Sequence, residues 1–214
     1  MKPKLADILF EKKVKALNLV KMLDLGLLPD PDDGGRMTPI SELSFHDFID
    51  ALALAANSKN LAKHSGAFST AIIDFGDGPA ECVIKLGNDV DRGFQYLELC
   101  KEKGGRSYCT GFPDIYYLDS FKINALEPIR VAIMEYVEMS GIDYNVREDV
   151  SILLDDAKTK AFYKQDDLMR IGWTLEDTRR FFSALDSLGG ANDIHTGNFG
   201  FRKDMSVCVF DPIA

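Results

Sequence analysis

The spacing of apolar residues along the chain alternates between helical and strand periods. Leu5, Ile8, Leu9, Val14, Leu17, Leu19, Val20 and Leu23 recur near helical spacing and predict a helix over residues 4–25. A breaker-rich loop follows at Leu28-Pro29-Asp30-Pro31-Asp32-Asp33-Gly34-Gly35. Phe45, Phe48, Ile49, Leu52 and Leu54 then predict a second helix from Ser44 to about Asn57. Beyond it the pattern shortens. The runs Thr70-Ala71-Ile72-Ile73-Asp74-Phe75 and Glu81-Cys82-Val83-Ile84-Lys85-Leu86 flank Gly76-Asp77-Gly78-Pro79, which is the make-up of a hairpin. Residues 89–103 read as a helix, and Ile115-Tyr116-Tyr117-Leu118 and Ile129 to Val137 read as strands. After Gly141 helical spacing returns, first over 146–162. It returns again after Thr174, where Asp177 holds the reciprocal position of a capping box and Gly189-Gly190 ends the helix. Phe199 to Phe201 and Val207 to Phe210 would pair as a last hairpin across Arg202-Lys203-Asp204-Met205-Ser206.

Strands first and helices later predict an α+β chain in three segments. These are a helical extension over 1–60, an antiparallel sheet lobe over 61–140 and a small helical lobe over 141–214. A length of 214 residues can bury a sizeable core, and 46% hydrophobic with 28% charged residues is an ordinary globular balance. A net charge of −9 argues against nucleic-acid binding through a basic face. Cys82, Cys100, Cys109 and Cys208 lie far apart without a Cys-X-X-Cys pair, which favours free thiols over a zinc site. With no apolar run of membrane-spanning length and no signal-like start, a soluble protein of the cytoplasm is expected.

The chemistry concentrates near the end of the sequence. Asp193-Ile194-His195-Thr196-Gly197-Asn198 places an Asn five residues after an Asp, and Asp211 follows thirteen residues later, before Pro212. Turns also favour Asp, Gly and Asn for backbone reasons, so the loop alone has a purely structural explanation. The spacing, however, is that of phosphotransferases in which a loop Asp takes the proton of a substrate hydroxyl. There the Asn and the later Asp hold magnesium on the phosphates of ATP. Lys85, at the end of Cys82-Val83-Ile84, suits the phosphate-pairing lysine, and a solvated strand-end lysine is the alternative. Glu98 is its first candidate partner and Glu102 its second. Gly66, Phe68 and Ser69 lie in a small-residue turn suited to cover phosphates with backbone N–H groups. Backbone groups of Glu135 and Val137, after Met134, are candidates to read adenine.

In this order along the chain, Gly66-X-Phe68-Ser69, Val83-Ile84-Lys85, Met134-Glu135, the Asp193–Asn198 loop and Asp211-Pro212 resemble the early serine/threonine protein kinases of T7-like bacteriophages. The resemblance spans about residues 58 to 214 and is thin over 142–190. It implies a kinase-like two-lobed fold, ATP and Mg2+ as cofactors, and phosphorylation of host proteins early in infection. Host RNA polymerase is among the partners it implies, with host transcription shut-off as the outcome. Carried over by position, Asp193 would be the base, Lys85 would hold phosphate, and Asn198 and Asp211 would bind the metal.

The chain also departs from that pattern. Pro212 replaces the Phe-Gly that usually follows the metal-binding Asp, and Asn192 replaces the Arg that usually precedes the catalytic Asp. Only three residues follow Asp211, so no activation segment is expected, and constitutive competence follows from that. Two other functions fit part of the pattern. One is a small-molecule phosphotransferase, because antibiotic kinases share an Asp-X-His-X-X-Asn loop. The other is a non-catalytic protein of kinase fold that binds and inhibits a host enzyme.

Overall fold

The computed structural model describes residues 18–33, 35–56, 61–65, 70–74, 82–88, 90–123, 128–139, 141–159, 165–189 and 193–213. Within them the chain is mixed α and β, with antiparallel pairing in its sheets. It divides into two compact units, Met1–Val90 with Tyr116–Met134, and Asp91–Ile115 with Glu135–Ala214. The chain therefore passes from the first unit to the second, back to the first, and again to the second. This differs from the expected segments 1–60, 61–140 and 141–214. The reason lies in where the apolar side chains of residues 18–56 go.

In the first unit, helix α1 (18–24) leads into a short hairpin of β1 (Leu27–Pro29) and β2 (Met37–Pro39). The breaker-rich loop is the tip of that hairpin. Asp30 organises it by accepting from the N–H groups of Asp32 and Asp33 at 3.0 and 3.2 Å and from the Thr38 hydroxyl at 3.1 Å. Helix α2 (Phe45–Ala55) starts at Ser44, whose hydroxyl accepts from the Asp47 N–H. A five-stranded sheet follows, in spatial order β3 (Leu61–Ser65), β4 (Thr70–Asp74), β5 (Cys82–Gly87), β7 (Ile129–Glu135), β6 (Ile115–Phe121). Leu19, Leu23, Leu28, Phe48 and Leu52 pack in one cluster with Ile72, Ile84, Leu86, Val131 and Ile133. The early helices thus cover one face of the sheet and share its core. They are not a separate extension, because Phe48 and Leu52 are fully buried there.

The sheet's other face carries the lysine. Ile72 pairs with Ile84 and Ala71 with Lys85, so β-strand alternation points Lys85 away from the helix-covered core. Lys63 is on the helix side, where its ammonium reaches Asp50 of α2 at 2.5 Å.

In the second unit, α3 (Arg92–Lys103) begins at Asp91, whose carboxylate accepts from the Gly93 N–H, and ends at Gly104 in the left-handed conformation. Helices α4 (Tyr144–Thr159), α5 (Gln165–Arg170) and α6 (Leu175–Leu188) precede the hairpin of β8 (Phe199–Phe201) and β9 (Val207–Val209). Tyr96, Phe112, Trp173 and Phe181 form an aromatic core, with Trp173 and Phe181 centroids 5.0 Å apart. That core binds β9 on the side away from β8. Val207 donates to the Ile171 carbonyl and Val209 to the Gly111 carbonyl, each at 2.9 Å. The carbonyls of Val207 and Val209 accept from the Trp173 indole and the Tyr96 hydroxyl, each at 2.8 Å. Only glycine fits at 111, since a Cβ there would lie 2.3 Å from the Trp173 ring.

The capping box of α6 is present and does more than start a helix. One carboxylate oxygen of Asp177 accepts from the Thr174 N–H and hydroxyl, and the other accepts from the Thr110 N–H at 2.7 Å. Burial pushes the Asp177 carboxyl up, but these hydrogen bonds outweigh it and hold it below the ordinary value. All four cysteines are buried and free. Burial drives the Cys109 thiol up to about 12 and the Cys100 and Cys208 thiols well above their ordinary value, which makes them poor nucleophiles. No helix among the described residues is long and apolar enough to cross a membrane.

Because the Asp177 carboxyl is depressed in the folded state, its contribution is complete above its ordinary value of 3.8 and is lost as pH falls through its folded value. Asp177→Asn should therefore be less stable than wild type at neutral pH, with the gap closing under acid. Urea midpoints at about pH 7 and about pH 3 check this. A gap that stays constant with pH would show that the charge is not what stabilises the cap.

Candidate functional site

The loop that carries the predicted acid and amide is folded by its own side chains. Asn198 donates from its amide nitrogen to the Asp193 carbonyl at 2.6 Å and to Asp193 Oδ2 at 3.2 Å. The Asn198 N–H closes a turn onto the His195 carbonyl at 2.9 Å. From the α4 side, the Ser151 hydroxyl donates to the Ile194 carbonyl. The loop is also stitched to the segment after β9: Asp193 donates to the Pro212 carbonyl at 2.8 Å, and Phe210 to the Asn198 carbonyl at 3.0 Å. The Asp211 N–H reaches that same Asn198 carbonyl at 3.4 Å. Asp193, Asn198 and Asp211 are thereby brought together by one short network inside the second unit.

Asp193 keeps a side chain that is 46% exposed, so its carboxylate is accessible to a substrate hydroxyl. Asn198 spends its amide nitrogen on Asp193, so a cation would meet its amide oxygen. An amide oxygen and one carboxylate are ligands that magnesium accepts, since it takes few protein ligands and completes its shell with phosphates and water. Among the described residues no cluster of three or more His, Cys, Asp and Glu side chains forms an all-protein cage for a metal.

His195 completes the loop. Its Nδ1 accepts from the Gly197 N–H at 2.9 Å, and its Nε2 stands 3.7 Å from Asp193 Oδ2. A Cβ at Gly197 would lie 2.8 Å from His195 Cε1, so any other residue there would have to move the ring.

The other predicted residues are placed as follows. Lys85 is only 5% exposed on β5 of the first unit, which rules out the solvated strand-end alternative. An ammonium so buried requires charged or hydrogen-bonding company. Glu98 and Glu102 sit on the exposed face of α3, whose buried face is Phe94, Tyr96, Leu97 and Cys100, and α3 belongs to the second unit. Gly66, Phe68 and Ser69 lie outside the described residues.

Glu135 and Val137 are more heavily used than expected. The Glu135 N–H donates to the Asp114 carbonyl at 3.0 Å, so it is not available for reading an adenine. Its carboxylate makes a two-pronged ion pair with Arg202, whose side chain is 5% exposed. Val137 is buried against Gly200, and the next residue, Glu138, exchanges both backbone hydrogen bonds with Phe201 at 2.8 and 2.9 Å.

Arg202 is the residue that sequence reasoning missed, because it was read as a hairpin-turn residue. Besides Glu135 it donates to the carbonyls of Thr110 and Phe112, each at 2.6 Å. A sequence signal did exist: a cation directly after the apolar Phe199-Gly200-Phe201 and an anion directly after the apolar run ending in Met134. Removing one partner of a buried pair typically costs about 3–5 kcal/mol. Arg202→Ala should lower stability by about that much in urea unfolding. A loss below about 1 kcal/mol would place the pair among surface-like ion pairs.

Gly197→Ala should displace the His195 ring and break its bond to the loop backbone. The expected readout is a changed His195 side-chain resonance with a modest stability loss of about 1 kcal/mol. An unchanged resonance would show that the turn absorbs a Cβ. No protein-family model matches the chain, and no curated protein matches its sequence.

Proposed function

We propose that this chain is an ATP-dependent phosphotransferase of kinase-like fold that acts on serine and threonine hydroxyls of proteins. The observation that carries the reading is the joining of Asp193, Asn198 and Asp211 by backbone and amide hydrogen bonds. The buried lysine on β5, facing away from the helix-covered core, supports it further. The exposure of Asp193 and of His195, 46% and 57%, favours a bulky acceptor such as a protein over a small molecule enclosed in a pocket.

In the proposed reaction the Asp193 carboxylate receives the proton of the acceptor hydroxyl. The hydroxyl oxygen bonds to the γ-phosphorus of ATP, the bond from that phosphorus to the bridging oxygen breaks, and ADP leaves. Magnesium, when bound, neutralises charge on the phosphates, and Asn198 and Asp211 are the residues that would hold it. The likeness to phage kinases gives Lys85 the phosphate-pairing role. The likeness to early kinases of T7-like phages supports host proteins, RNA polymerase among them, as acceptors in the bacterial cytoplasm.

The test uses purified protein, labelled ATP, magnesium and a bacterial lysate. Asp193→Ala should reduce label transfer to proteins by about 10²–10⁴-fold, the range of a lost general base. Lys85→Ala should also reduce transfer strongly, and Asn198→Ala should raise the magnesium concentration needed for half-maximal rate. Transfer that survives Asp193→Ala would sink the assignment of the base. Label on a small molecule would instead favour the antibiotic-kinase type of chemistry. No label, with host protein retained on the folded chain, would favour a binding protein of this fold.

A further inference from the structure

The tautomer of His195 can be read from its neighbours. Nδ1 accepts the Gly197 N–H at 2.9 Å, and a ring nitrogen that accepts carries no proton. In the neutral imidazole the proton is then on Nε2, the nitrogen 3.7 Å from Asp193 Oδ2. The Asn198 amide already donates to that same oxygen at 3.2 Å. One carboxylate oxygen thus accepts the Asn198 amide N–H and has the His195 Nε2–H as its next nearest donor. The bond from the Gly197 N–H to Nδ1 orients the ring and with it Nε2.

We propose that His195 is a positioning residue for Asp193. With Asn198 it holds Oδ2, so that the acceptor's proton is delivered to the other carboxylate oxygen. The inference rests on the phosphotransfer reading of the Asp193 loop. At 3.7 Å the His195–Asp193 approach is longer than a hydrogen bond, and such bonds commonly tighten when substrate arrives.

Two substitutions separate positioning from mere loop folding, because each keeps one half of the imidazole's hydrogen bonding. His195→Asn keeps an acceptor near Nδ1 for the Gly197 N–H but has no donor reaching Asp193. His195→Gln places an amide N–H near Nε2. The assay is initial-rate label transfer from ATP, with magnesium, to bacterial lysate proteins at varied ATP concentrations, alongside thermal unfolding of each full-length variant. The expected result for His195→Asn is an apparent kcat roughly 10–100-fold lower, with KM for ATP and the unfolding midpoint unchanged. His195→Gln should recover most of the kcat.

The opposite order, Asn active and Gln impaired, would show that His195 serves only the turn and would overturn the proposal. Equal, wild-type rates in both variants would overturn it as well, while leaving the phosphotransfer reading intact. A folded wild type that transfers no label would overturn both together. Independently of activity, nitrogen-15 spectra of the ring, simplified by a total of three histidines, should show the Nε2–H form. A ring protonated at Nδ1 would contradict the geometry.

Discussion

The buried ion pair between Arg202 and Glu135 is the constraint on which the second unit is assembled. Taking a guanidinium and a carboxylate out of water is costly, and only near-complete hydrogen bonding offsets it. That condition is met here. Arg202 directs Nε and Nη2 at Glu135, a second N–H of Nη2 at the Phe112 carbonyl and Nη1 at the Thr110 carbonyl, while Glu135 also accepts the Asp114 N–H at 2.9 Å. Desolvation alone would pull the guanidinium's pKa down, but the bonds to Glu135 outweigh it and keep it charged. The pair thus joins the end of β7, the 110–114 loop and the end of β8. Because Arg202 follows β8, and Asn198 precedes it, the same pair fixes where the Asp193–Asn198 loop starts its hairpin.

What could be read in the amino-acid order depended on whether its cause was local. The helix start at Ser44, the capping box of Thr174 with Asp177 and the stop at Gly189 all rest on residues a few positions apart, and all stand in the structure. The β4–β5 and β8–β9 hairpins were legible because their alternation is short and complete. The β1–β2 hairpin was not, since three-residue strands carry too few positions to show a period. The membership of α1 and α2 in the sheet's core was also hidden. Periodicity shows that a helix has an apolar face, but not which surface will cover it.

The same contrast holds for the candidate site. The positions of Asp193, Asn198 and Asp211 could be read from spacing because a loop and an adjoining hairpin turn one-dimensional distance into proximity. The work done by Glu135 could not. Its carboxylate is used by a residue 67 positions away, and no local pattern announces a partner at that range. His195 is an intermediate case. It stands in the motif, yet its role depends on which ring nitrogen the Gly197 N–H engages.

The route of the chain has a kinetic consequence. Tyr96 bonds the Val209 carbonyl across 113 positions, and β7 takes its place beside β5 only after the chain has built α3 for the other unit. Both units are therefore closed by segments far downstream of those that open them. Such high contact order slows the search for the native arrangement, since long loops must close before their contacts repay the lost entropy. Helices with strong local signals, such as α6, would form early and wait, half-covered, for the late strands. Until those strands arrive the aromatic cluster around Trp173 would stay open to water, the kind of surface through which incomplete chains aggregate.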